Sequence, residues 1–202
     1  MLSVFVGRNS TIKKEIQDFW QHNDLNNSNF VNKLNIKQTK LESFLRTDYN
    51  NPTLLKEALD CQPNNTKSRV KIWKENTIII DENGVVSDKT GTITTKQDRH
   101  PNSGNLYFNP KNNKSRFRFL TPRECFLLMG FDEEDYEKLI KEKYYTRTKS
   151  LFFSRDVLYK LSGNSIVVNV LEQVFDQMLK IDKIINNNSC LRRNPQISYK
   201  DG

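Results

Sequence analysis

The spacing of apolar and polar residues changes period several times along this chain. Residues 2–6 are a short apolar run with β-branched members, closed by Gly7, and read as a buried strand. A strand starting at the first residue suggests that the chain begins inside a larger sheet. Residues 10–21 place Ile12, Ile16 and Trp20 at helical spacing behind Ser10 or Thr11 as cap, which predicts a helix. Residues 23–29 are polar and Asn-rich, a loop. Residues 37–44 and 52–58 read as short helical or linker pieces. The runs 70–73, 77–80, 85–86 and 90–95 are β-prone, with Asp81-Glu82-Asn83-Gly84 as a hairpin turn. Residues 100–104 and 109–113 have loop composition.

From Thr121 the period is helical again. Thr121 suits an N-cap, Pro122 the first turn and Glu124 the acid of a capping box. Cys125, Leu128 and Met129 form an apolar face, and Gly130 ends it. Residues 132–142 predict a charged helix. Gly163-Asn164-Ser165 reads as the opening of a third helix. Its broad apolar stripe holds Ile166, Val167, Val170, Leu171, Val174, Phe175 and Met178. The chain beyond Asn186 is polar and is expected to be disordered.

Charge sharpens this picture. The formal net charge is +8, with 28% charged and 36% hydrophobic residues. Such an excess favours an anionic partner, nucleic acid above all. Between Lys89 and Arg123 the cations Lys96, Arg99, Lys111, Lys114, Arg116 and Arg118 face only Asp98. A local basic stretch is what phosphate neutralisation requires. Tyr107, Phe108, Phe117 and Phe119 interleave it, as core or as groove lining.

Catalytic constellations are missing. There is no glycine-rich nucleotide loop. Cys61, Cys125 and Cys190 form no CxxC pair, and two histidines give no zinc spacing. Three unpaired cysteines suit a reducing, cytoplasmic setting. No apolar run is long enough to span a bilayer, and the first ten residues lack the basic lead of a signal peptide. Cys61 is expected in a loop and Cys125 in the core.

Two stretches carry a family resemblance. Arg118-Phe119-Leu120-Thr121-Pro122-Arg123-Glu124-Cys125, running on to Leu128-Met129-Gly130-Phe131, resembles the ninth conserved motif of cytosine-5 DNA methyltransferases. Tyr159-Lys160-Leu161-Ser162-Gly163-Asn164-Ser165-Ile166-Val167-Val168-Asn169-Val170-Leu171 resembles the tenth. Thr92-Ile93-Thr94-Thr95, with the polar loop to Gly104, looks like the Thr-Leu segment of the target recognition domain. Residues 1–6 look like the strand that ends the eighth motif, without the Gln-x-Arg-x-Arg stretch that precedes it in the family. Met1 then corresponds to an internal position of a longer relative.

The resemblance implies an α/β fold class: the last strand and C-terminal helix of an AdoMet-dependent methyltransferase fold, plus a small β-rich target recognition domain. It divides the chain into residues 1–22 (end of the catalytic domain), 23–130 (target recognition with the ninth motif), 131–185 (return to the catalytic domain with the tenth motif) and a 186–202 tail. It implies that Gly163, Asn164 and Ser165 border the S-adenosyl-L-methionine pocket. There a helix N-terminus would suit the carboxylate of the cofactor. It implies that Thr92 contacts a phosphate near the flipped base. Thr94, Lys96, Gln97 and Arg99 would enter the major groove of double-stranded DNA. Arg118, Arg123 and Glu124 would be internal ion pairs.

In the family a cysteine thiolate adds to C6 of a flipped-out cytosine, a glutamate assists at N3, and AdoMet gives its methyl to C5. The Pro-Cys, Glu-Asn-Val and AdoMet-loop motifs do not occur in these 202 residues. The expected function is therefore the C-terminal part or subunit of a DNA (cytosine-5-)-methyltransferase, reading the target beside a catalytic half. A prokaryotic or phage restriction–modification setting is expected. The alternative is a stand-alone basic DNA-binding protein without catalysis.

Overall fold

The computed structural model describes residues 10–24, 27, 39–97, 99 and 101–191. The strand read at 2–6 and the final residues of the tail lie outside them. The chain forms two compact units, Met1–Lys37 with Asn169–Gly202, and Gln38–Val168. The architecture is mixed, helices around a small sheet, consistent with an α/β methyltransferase-like fold.

In the first unit, helix α1 (Ser10–His22) matches the apolar spacing of the sequence. Helix α7 (Val168–Leu191) starts in the second unit and continues through the first. It runs past Asn186, where the sequence predicts a tail. Ile16 and Ile181 are buried, and the Gln177 side-chain amide donates to the Asn23 carbonyl at 2.8 Å.

The second unit opens with a 3-10 turn (Leu41–Phe44) and helix α2 (Pro52–Asp60). Asn51 caps α2 through its side-chain oxygen, and Pro52 takes the first turn, where no amide hydrogen is needed. Helix α3 (Lys67–Glu75) corrects the β-prone reading of residues 70–73. Thr66 caps it, and Trp73 buries its ring against Phe117 and Phe119, at centroid distances of 5.9 and 5.3 Å. Burial of one helical face outweighs the β-propensity of Val70 and Ile72.

Three short strands follow, β1 (Ile78–Ile80), β2 (Asn105–Tyr107) and β3 (Phe117–Arg118). The order is β1-β2-β3, with β1 and β2 parallel and β2 and β3 antiparallel. The turn read at 81–84 is present. The Asp81 carboxylate accepts the amides of Asn83 and Val85, and Ile80 bridges Val86. Residues 90–95 form no strand, against the sequence reading. Their backbone groups pair with side chains and with Ser103 instead.

Helix α4 (Pro122–Leu128) carries the capping box as expected. Glu124 N–H donates to Thr121 Oγ1 at 3.2 Å, and Thr121 N–H donates to the Glu124 carboxylate at 2.8 Å. Helix α5 (Glu133–Lys141) is capped by Asp132. Helix α6 (Arg155–Asn164) packs on α4. The main core gathers Leu41, Trp73, Ile79, Leu106, Phe119, Leu120, Cys125 and Tyr159. A second cluster centres on Phe126, Tyr136 and Leu158.

Candidate DNA and cofactor edge

The loop from Thr90 to Gly104 is closed at its base. Thr90 Oγ1 and Gly91 N–H both donate to the Ser103 carbonyl, at 2.7 and 2.9 Å. A Cβ on Gly91 would lie 2.0 Å from the Asn102 carbonyl oxygen, so only glycine allows the two arms to touch. Ile93 packs against the main core and anchors the loop. Thr92 before it is exposed, and Thr94 after it is half-buried.

The expected DNA residues separate by exposure. Thr92, Lys96 and Arg99 face solvent. Arg69 of α3 stacks over Phe119, 5.1 Å from the ring centroid, and donates to the Arg99 carbonyl. Gln97, expected at a base edge, is instead fully buried. Its Oε1 accepts from the Thr94 amide and hydroxyl at 3.5 and 3.4 Å, so it braces the loop from within. Its Nε2 has no partner among the described residues. The polar character of glutamine hides this role in the sequence.

The tenth-motif residues need one correction. Gly163-Asn164-Ser165 ends α6 and does not open a helix. Ser165 is the C-cap, and its hydroxyl donates to the Ser162 carbonyl at 2.8 Å. The next helix begins at Val168, whose amide donates to the Met129 carbonyl at 2.9 Å. The end of a helix presents carbonyls and partial negative charge. Its polarity is opposite to the one argued from sequence. Asn164 is exposed.

Gly163 meets the recognition loop directly. A Cβ there would lie 2.4 Å from the Thr94 carbonyl carbon and 2.4 Å from the Thr95 nitrogen. The two regions singled out in the sequence therefore meet at Gly163 and the Thr94–Thr95 peptide, within the second unit.

The second unit also holds the internal ion pairs expected of Arg118, Arg123 and Glu124. Arg118 and Glu124 are fully buried and joined by two hydrogen bonds of 2.8 Å. Tyr49 Oη accepts from Arg118 Nε at 3.1 Å, and the Arg46 amide donates to Glu124 at 2.8 Å. Burial alone pushes the Glu124 carboxyl up. The Arg118 charge with its hydrogen bonds, and the Arg46 and Thr121 amides, outweigh that and hold it below the usual carboxylate range. Arg123 pairs with Glu57, Glu133 and Glu137 at 2.8, 2.7 and 2.5 Å and lies 4.6 Å over the Tyr136 ring.

Cys61 lies in the turn that ends α2 and Cys125 in the core, as expected, and both are buried. Burial pushes the Cys61 thiol up to about 11 despite its 3.3 Å contact with Tyr159 Oη. Burial also raises Cys125 well above the usual thiol range. Neither has the depressed pKa or the exposure of a nucleophile. No cluster among the described residues is suited to a metal ion, and none of their helices is long and apolar enough to cross a membrane.

A family model, the C-5 cytosine-specific DNA methylase, matches residues 5–180, and the chain belongs to that family. Over 66 residues it is 46% identical to an orphan methyltransferase, M.Rho11sI, of Bacillus phage rho11s, covering 33% of this chain and 11% of that protein. It is 44% identical over 66 residues to the orphan methyltransferase M.SPRI of Bacillus phage SPR, covering 33% of this chain and 13% of that protein. Over 117 residues it is 32% identical to the type II methyltransferase M2.ScrFI of Lactococcus lactis subsp. cremoris, covering 58% of this chain and 29% of that protein. The matches thus span only about a tenth to three tenths of these relatives. No solved structure matches the chain.

Proposed function

We propose that these 202 residues are the target-reading part of a DNA (cytosine-5-)-methyltransferase, presenting the 90–104 loop to double-stranded DNA and completing an S-adenosyl-L-methionine site through residues 163–165. The contact between Gly163 and Thr94–Thr95 carries this reading. Methyl transfer requires the flipped base and the methyl donor to be neighbours, so a DNA loop and a cofactor edge must adjoin. Thr92, Lys96 and Arg99 are the contact residues, while Thr94 and Gln97 hold the loop's shape.

The cofactor fits the chemistry of the edge in a revised way. The carbonyl end of α6 suits the cationic ammonium of AdoMet, and Asn164 offers an amide beside it. When bound, AdoMet supplies the methyl group. This chain's own residues position it and shape the wall between cofactor and base.

The nucleophile and the AdoMet loop are supplied by sequence outside these 202 residues, as a second subunit or as the rest of a longer protein. Val170, Phe175, Met178 and Leu179 of α7 are each about half exposed or more, which supports a covering partner. The setting is restriction–modification or its orphan phage counterpart.

The buried state of Cys61 and Cys125 favours a second reading, a DNA-binding protein without catalysis. A methyl-transfer assay with labelled AdoMet separates the two. Activity of the chain only with a catalytic half supports the first reading. Absence of activity in the mixture, with DNA binding retained, supports the second. Activity of the chain by itself overturns the assignment of the nucleophile to another segment.

A further inference from the structure

Between α5 and α6 the chain makes a hairpin distinct from the 90–104 loop and from residues 163–165. Phe152 N–H donates to the Tyr144 carbonyl at 2.7 Å, Thr146 N–H to the Ser150 carbonyl at 2.8 Å, and Tyr145 bridges Leu151. The tip is ordered by its own side chains. Thr146 Oγ1 lies 2.8 Å from Thr148 Oγ1 and accepts the Ser150 amide, and Lys149 adopts φ 60°. Phe153 ties the base to the second hydrophobic cluster and meets Tyr144 and Phe152 edge to face.

The hairpin has an unusual surface. Every residue from 141 to 152 is exposed. Tyr144 is 56% exposed, Tyr145 63% and Phe152 50%. So many bare large apolar groups on one short hairpin mark a contact surface. Lys141, Lys143, Arg147 and Lys149 stand among them against Glu142. None of these four cations makes an ion pair among the described residues. Cations interleaved with exposed aromatic rings suit a sugar–phosphate backbone, which offers anionic oxygens beside apolar sugar faces. The charge balance, four cations to one acid over residues 141–149, favours the polyanionic backbone as the occupant.

We infer that the 143–152 hairpin is a second, sequence-independent contact to the backbone of double-stranded DNA, separate from the 90–104 loop. The inference rests on the reading of this chain as DNA-binding. Its role is to add affinity and to hold the duplex while the loop tests the sequence. Base contacts specify, whereas phosphate contacts position.

The test is a salt titration of duplex binding by the full chain, read by fluorescence anisotropy with labelled cognate and unrelated duplexes. Each phosphate contact contributes about 0.9 to the slope of log K against log salt. The double variant R147Q/K149Q is expected to lower that slope by about two for every duplex, with discrimination between duplexes unchanged. The charge-conserving R147K/K149R is expected to keep the slope, and circular dichroism checks that both variants fold. A loop variant, K96Q/R99Q, is expected to weaken discrimination. Loss of discrimination in the loop variant with an unaltered slope in R147Q/K149Q overturns the hairpin site and leaves the DNA-reading assignment standing. A wild-type chain with no salt-dependent duplex binding overturns both. A hairpin variant that loses only its association with a catalytic half also overturns the proposal, because the surface is then a protein interface.

Discussion

Gly163 at the end of α6 sits against the peptide joining Thr94 to Thr95, with no room for a methyl group between them. Alanine in the last turn of a helix is ordinarily better than glycine by ~1 kcal/mol. Here the neighbour is backbone and cannot rotate away. Overpacking of this kind costs about 1–3 kcal/mol and outweighs the gain. Gly163→Ala is expected to lower stability in urea unfolding and to reduce methyl transfer by the assembled enzyme. Equal stability of variant and wild type would contradict the close approach.

The Arg118–Glu124 pair makes a different expectation. Glu124→Gln leaves a fully buried guanidinium without its counter-charge, which costs about 3–5 kcal/mol. Replacing both partners by Met and Leu is expected to recover much of that loss. The pH dependence has a fixed sign. The folded carboxyl is held below its unfolded value. Its contribution is therefore complete above the unfolded carboxylate pKa and is lost as pH falls through the lower folded one. Acid unfolding of Glu124→Gln is expected to show a weaker slope in that range, measured by circular dichroism.

The Cys61 thiol is expected to resist modification. Its folded pKa of about 11 lies above the usual thiol value. The native protein thus keeps it protonated where the unfolded chain ionises. Its stabilising share is present below the unfolded thiol pKa and is lost as pH rises toward 11. Thiol titration with a disulfide reagent at mildly alkaline pH should show Cys61 and Cys125 reacting only as the protein unfolds. Rapid native-state reaction at Cys61 would reopen the question of a nucleophile within this chain.

Gln97 and Arg99 are two residues apart and are expected to respond differently. Gln97→Met keeps the volume of the buried side chain but removes the acceptor of the Thr94 amide and hydroxyl, so it is expected to loosen the loop and lower thermal stability. Arg99→Gln removes an exposed cation and is expected to weaken duplex binding with little change in stability. Anisotropy and thermal melts on the same samples separate the two effects.

The capping box at Thr121–Glu124 was legible because its signals are local. Cap, proline and reciprocal acid lie within four residues. The ion pairing of Arg118, Arg123 and Glu124 followed from the motif, but not its partners. Arg46 and Glu57 come from 78 and 66 residues away, a separation that no local pattern encodes. Residues 70–73 misled because Val70 and Ile72 favour strands while a distant aromatic pair buries Trp73 on a helix. Strand β2 has no local signature, because Asn105 and Tyr107 flank a single aliphatic, Leu106, and its pairing is non-local. At 163–165 the residues carry a cap-like signal that fits either end of a helix, and packing against the Thr94–Thr95 peptide makes it the C-terminal end.

The capped helix also bears on the order in which the chain acquires its shape. Arg118 and Glu124 are only six residues apart and share one strand-to-helix corner, whereas Arg46 and Tyr49, which bond them, and Glu57, which bonds the neighbouring Arg123, arrive across long loops. Short loops close before long ones. The corner is thus a seed on which Arg46 and α2 later condense. Lesions at Thr121 should slow the search for the native state, while lesions at Glu57 should hasten its loss.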